Sequence, residues 1–146
     1  MSATNVLENG LLSLMFENAN YANVGDATGL RGSSTAGVFY ISLHTANPNE
    51  TGTQTTSEAA YTSYARVSIA RSTSGWSVAS GVADNDSAIT FPAATGGSET
   101  ESHFGVGSDT SGTGNLFLWG ALTAGLAVSS GITPQFAAGA LDVTLD

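Results

Sequence analysis

The sequence predicts an all-β domain, an antiparallel β-sandwich of jelly-roll type with one short N-terminal helix. Three observations carry this. From Val38 onward, short runs of β-branched and aromatic residues recur every ten or so positions, each bounded by Gly, Pro, Asn or Ser. At the far end Leu141, Val143 and Leu145 alternate with Asp142 and Thr144, the pattern of a strand with one buried face. Only the first twenty residues show a helical period, with Leu7, Leu11, Leu14 and Met15 at i, i+4, i+7 and i+8.

In chain order, the helix comes first, with Asn5 and Glu8 spaced as a capping pair and Gly10 weakening its middle. Its apolar face is expected to pack on the sheet of its own chain. Residues 18–37, rich in Asn, Gly, Ser and Thr, read as a long loop. Val38–Thr45 is a strand with Phe39, Ile41 and Leu43 on one face. The polar stretch 46–62 makes a second long connection, and strands follow at Tyr64–Ala70, Trp76–Ser80, Ala88–Phe91, His103–Val106, Asn115–Leu122 and Ala140–Leu145. A length of 146 residues and the lack of internal repeats indicate one domain, 1–146, with a helical arm at 1–20 and the sandwich at 38–146.

Composition narrows the function. The chain has three basic residues, Arg31, Arg66 and Arg71, against 12 acidic ones, for a net charge of -9. Nucleic-acid binding needs clustered cations to displace counterions, so no nucleic-acid partner is expected. No apolar run is long enough to span a bilayer and no leader pattern opens the sequence, which predicts synthesis in the cytoplasm and no membrane partner. With no cysteine, neither disulfides nor thiolate metal sites are available.

No constellation predicts catalysis, and no cofactor or metal is expected. His44 and His103 lack partners in sequence and read as surface or hydrogen-bonded strand residues. Glu99 with Glu101, and Asp84 with Asp86, read as solvated carboxylates in polar loops. Calcium at Asp84-Asn85-Asp86 is disfavoured, because the glycine and distal glutamate of an EF-hand loop are missing. Gly105-Val106-Gly107 lacks the third glycine and the lysine of a phosphate loop and reads as a bulge or bend. Trp76 and Trp119 are the candidates for sugar platforms, with burial in the core as the favoured reading.

Several of these strands also occur in a recognisable order: Tyr64-Ala65-Arg66-Val67, Trp76, Ile89-Thr90-Phe91-Pro92, His103-Phe104-Gly105-Val106, Gly114-Asn115-Leu116-Phe117-Leu118-Trp119-Gly120 and the tail Gly131–Leu141. Over about residues 38–146 this resembles a family of small tailed-bacteriophage virion proteins, often labelled tail fibre proteins, that also resemble capsid cement (decoration) proteins. The resemblance implies a β-sandwich bound in many copies to a phage particle, with no enzymatic residues. A sequence without repeats provides no fibre shaft. The leading expectation is therefore a decoration protein on the capsid exterior, a dimer or trimer that stabilises joints between major capsid protein subunits. The alternative is a tail-fibre or tail-tip component that binds a host receptor through exposed aromatics such as Tyr21, Tyr61 or Tyr64. A third class, a glycan-cleaving enzyme, needs carboxylates across a cleft. Expected partner contacts are the helix and the loops 18–37 and 46–62, with Leu7, Leu11, Leu14, Met15, Tyr21, Leu30, Arg31 and Tyr61 as the binding residues. Deleting residues 1–20 is expected to weaken attachment without unfolding the sandwich.

Overall fold

The computed structural model describes residues 2–145. The elements are α1 (Asn5–Phe16), β1 (Val38–His44), β2 (Val67–Ala70), β3 (Trp76–Ala79), β4 (Val82–Asn85), β5 (Ile89–Thr90), β6 (Ser98–Gly107), β7 (Leu116–Ser129), β8 (Gln135–Phe136) and β9 (Asp142–Thr144). The strand pairings resolved in register are antiparallel, so the all-β class with one N-terminal helix holds. The chain folds into two compact units, each discontinuous in sequence. Unit 1 comprises the residues up to Val38, Ala70–Ile89 and those from Phe136 on; unit 2 comprises Phe39–Ile69 and Thr90–Gln135.

Unit 1 is built on a three-stranded sheet of order β3-β4-β9, with α1 against β3 and β4. The β3–β4 hairpin closes through Ser80 and Gly81, at φ 53° and 80°. Two successive positive φ values match the right-handed twist of the paired strands, and Gly81 adopts its own without steric cost. Asn9 on α1 accepts a hydrogen bond from the Gly81 N–H at 2.6 Å, which ties the helix to the turn.

The helix buries Leu12 and Phe16 completely, and Phe16 meets Trp76 edge to face at 4.6 Å. The buried stripe is thus rotated from the expected one: Leu7 is 41% exposed, while Leu11, Leu14 and Met15 are half-buried. The periodicity admitted both stripes, and contact with Trp76 selects the one containing the aromatic ring. The expected capping pair is also absent. Thr4 occupies the N-cap without a side-chain bond, and the Glu8 carboxylate lies over Gly81 instead. At the other end Arg71 donates to the carbonyls of Met15 (2.6 Å), Leu14 (2.9 Å) and Ala36 (2.9 Å). The Met15 and Leu14 carbonyls are orphan acceptors of the helix C-terminus, and a cation suits their negative potential.

Unit 2 is built on a four-stranded sheet of order β2-β1-β6-β7. Ile41, Val106 and Leu118 are cross-strand partners, and so are Leu43, Phe104 and Gly120. Phe39, Ile41, Leu43, Tyr61, Phe91, Val106 and Val128 form its buried apolar set. The stretch 46–62, expected as an exposed connection, buries Pro48, Gln54, Ala59 and Tyr61. Gly107 leaves the space that the Gln54 side chain fills. The bulge expected at Gly105–Gly107 exists, but its extra residue is Phe117 on β7, since Val106 pairs with Leu118 and Gly107 with Leu116.

Candidate interaction surface

The binding residues expected from sequence divide sharply by exposure. In unit 1, Tyr21 and Leu30 exchange both backbone hydrogen bonds at 2.9 Å and close a small hairpin-like loop. The Tyr21 ring lies against Gly10, where a Cβ would sit 2.6 Å from its carbons, so the glycine that weakens the helix makes room for the loop. Asn18 and Asn20 fix the returning strand through Ser33 (2.7 Å) and Gly32 (3.0 Å). At the tip Asp26 accepts from Thr28 and Gly29. Those bonds, chiefly the Thr28 hydroxyl, hold its carboxyl below the usual range. Leu30 is 38% exposed and Arg31 is exposed, so this loop presents a mixed surface. Tyr61, by contrast, is buried in unit 2 with its hydroxyl donating to the Pro92 carbonyl at 3.0 Å, which leaves it no surface for a partner.

The densest polar cluster of unit 2 surrounds Arg66. Its Nε and Nη2 donate to the two oxygens of Glu58 at 2.6 and 2.7 Å. The remaining N–H groups reach the carbonyls of Asp109 (2.8 Å) and Gly112 (2.7 Å). Tyr64 donates to Glu58 and accepts from the Leu43 N–H. The Glu58 carboxylate raises the Arg66 pKa, and burial raises that of Tyr64. Gln54 pins the same loop by exchanging bonds with Asp109. A shallow cavity of about 220 Å³ lies here, lined by Glu58, Tyr64, Ala65, Arg66, Thr110, Ser111 and Gly112. Its charged groups already satisfy one another, so the cluster holds the β6–β7 loop rather than offering free charge to a ligand.

The groups weighed for chemistry are also placed. Ser42 and His44, both 0% exposed, are joined Oγ to Nε2 at 2.8 Å, while His44 Nδ1 meets the Thr56 carbonyl at 2.9 Å. A serine, a base and an orienting acceptor therefore stand in line, yet full burial denies them a substrate. Burial also lowers the His44 pKa. His103 is half-buried, hydrogen-bonded to Ser102 and tilted against Trp119 at 5.9 Å. Trp76 is core as expected, but Trp119 is 37% exposed.

Of the two carboxylate pairs only Asp86 lies in a polar loop, in the exposed bend after β4. Glu99 and Glu101 are in β6, and Asp84 is in β4 opposite Asp142 on β9. Burial, and the Asp142 carboxylate next, raise the Asp84 pKa. Asn85 is buried and uses its whole amide: Nδ2 donates to Ser87 and Ala137, and Oδ1 accepts from Ala140 and Leu141. The Asn85 side-chain oxygen is thus fully engaged, and among the described residues no group of three metal-ligating side chains occurs. No helix among them is long and apolar enough to cross a membrane.

The surface that sequence reasoning passed over is β7. It is the outer strand of its sheet, 14 residues long, with an alternating burial pattern and no charged side chain from Leu116 to Ser129. Phe117, at 46% exposure, and Trp119 stand out from it, and Phe117 packs edge to face on Phe39 at 5.9 Å. Native edge strands are usually defended by lysine, proline or shortness, and β7 has none of these. The signal was present in sequence as the uninterrupted Leu-Phe-Leu-Trp-Gly-Ala-Leu-Thr-Ala-Gly-Leu-Ala-Val run.

Among curated proteins none matches the chain. A family model described as "Podophage GP4 fiber I protein gp80" matches residues 2–144, which includes both units and the helix that lay outside the resemblance drawn from sequence. With a match of that extent, the chain belongs to the podophage GP4 fiber I protein gp80 family and is a structural protein of a phage particle.

Proposed function

We propose that the protein is a fibre component of the phage particle, working by rigidity and binding rather than by chemistry, and present in copies that associate with one another through β7. The observation that carries this reading is the family match from residue 2 to residue 144. The fibre description of that family fits the tail-fibre alternative at least as well as capsid decoration. Association through β7 is supported by electrostatics. Two copies at a net charge of -9 repel, so they meet most easily along a strip that carries no charge. Lysine at Phe117 or Trp119 would place cations along that strip and is expected to shift the purified protein toward monomer in light scattering.

Capsid decoration is the second reading, favoured by the absence of shaft repeats. Copy number relative to the major capsid protein in purified particles, together with labelling of the protein in electron micrographs, separates the two. A few copies per particle with label at the tail is the expected result. A ratio near one, or a fixed sizeable fraction of it, with label over the shell would overturn the fibre reading in favour of decoration.

A further inference from the structure

We infer that Glu99 and Glu101 form a proton-operated latch, which clamps the Ala60–Tyr61 backbone onto β6 while Glu101 is a neutral acid and loosens as that proton is drawn away. The inference concerns unit 2 alone and is independent of where the protein sits on the particle.

Glu101 is 0% exposed, and no donor reaches either of its carboxyl oxygens. An ionised carboxylate in such a place has lost its water and gained nothing in return. Two residues earlier on the same side of β6, Glu99 does the opposite: its Oε1 accepts from the Ala60 N–H at 2.8 Å and the Tyr61 N–H at 2.7 Å. The pair thus divides its labour, one carboxylate pinning backbone and one acid held dry beside it. Burial, and then the Glu99 carboxylate, push the Glu101 pKa up to about 8 from the ordinary 4.5.

The groups facing Glu101 agree with this. Tyr61, on the clamped segment, has its own pKa pushed up to about 12 by burial and by both glutamates, so it stays neutral throughout. On the opposing strand Glu101 pairs with Leu126, and β7 contributes no titratable side chain. The structure also supplies slack where opening would start. From Glu101 to His103 β6 advances two residues, while β7 runs from Leu126 to Ala121, so the register slips beside the acid.

The linkage has a definite sign. A proton bound more tightly in the clamped form stabilises that form fully below about pH 4.5, and the advantage is lost as pH rises toward 8. The opening constant should therefore rise about tenfold per pH unit across that interval and level off above it. Native-state hydrogen exchange at the Ala60 and Tyr61 amides, corrected for intrinsic rates, reads this constant directly. Glu101→Gln should abolish the slope while leaving the exchange of β3 and β4 amides unchanged. A flat profile in the wild type, or the same slope in Glu101→Gln, would overturn the latch. If the variant does not fold, infrared spectroscopy of the wild type decides. A protonated-carboxyl stretch that persists at pH 7 and fades near pH 8 is expected, and its absence at pH 7 would overturn the proposal.

Discussion

Arg66 and Glu58 meet fork to fork in unit 2, the Arg66 side chain only 2% exposed and that of Glu58 15%. The geometry uses the planarity of guanidinium twice, once for the carboxylate and once for the Asp109 and Gly112 carbonyls of the β6–β7 loop. Removing one partner strands the other, so Arg66→Ala should destabilise the protein by about 3–5 kcal/mol. Lysine restores charge but not the fork, and Arg66→Lys should recover less than half of the loss. Denaturant titration of the two variants measures both.

Deletion of residues 1–20 removes Leu12 and Phe16, both fully buried, and uncovers Trp76. The helix therefore packs on the sheet of its own chain, as its periodicity predicts, and its removal is expected to destabilise unit 1 rather than leave it intact. Phe16→Ala alone should cost about 3–5 kcal/mol. The truncated chain should lose the near-ultraviolet circular dichroism of Trp76, and an unchanged spectrum would show that the helix contributes no packing.

Asn85→Asp tests the buried amide that organises the C-terminal segment. The substitution points an acceptor at the Ser87 and Ala137 carbonyls, which now receive N–H groups. A loss of roughly 3 kcal/mol or more is expected from the unsatisfied carbonyls and the buried charge. Adding calcium should not restore the stability of the variant, because the Asn85 site is built to donate as well as accept.

Acid should weaken the protein through His44. Burial lowers its pKa below the ordinary 6.5, so the unfolded chain binds this proton first. The contribution of neutral His44 is present above pH 6.5 and is lost as the pH falls below it. Glu101 acts in the opposite direction over part of the same range, so the difference between wild type and His44→Gln isolates the effect. That difference should shrink between pH 7 and pH 5.

Much of the fold is legible in the sequence because it depends on local pattern. Val38–His44 and Asp142–Thr144 announce themselves by alternation, and Trp76 by its place in a short apolar run. β4 was missed because Asp84 and Asn85 look like loop residues. The hint was Ser80-Gly81 between two short alternating runs, and the decisive fact, that four backbone groups close over the Asn85 amide, is tertiary. β6 was read short for the same reason, since Glu99 and Glu101 are charged in sequence, whereas one of them is dry in the fold. The interaction surface was sought in loops because loops usually carry binding. The stretch 46–62 turned inward around Gln54 and Tyr61, and the uncharged edge lay on a strand.

The pairing of Val82 with Thr144 also sets a schedule for synthesis. When β3 and β4 leave the ribosome, their hairpin can close, but the third strand of that sheet does not yet exist. Helix α1, translated long before, must wait beside an unfinished sheet while all of β6 and β7 is made. Closure across so long a span of chain is intrinsically slow. For that interval Leu12, Phe16 and Trp76 depend on the hairpin alone, and a host with scarce chaperone capacity would show its effect first in the yield of soluble protein.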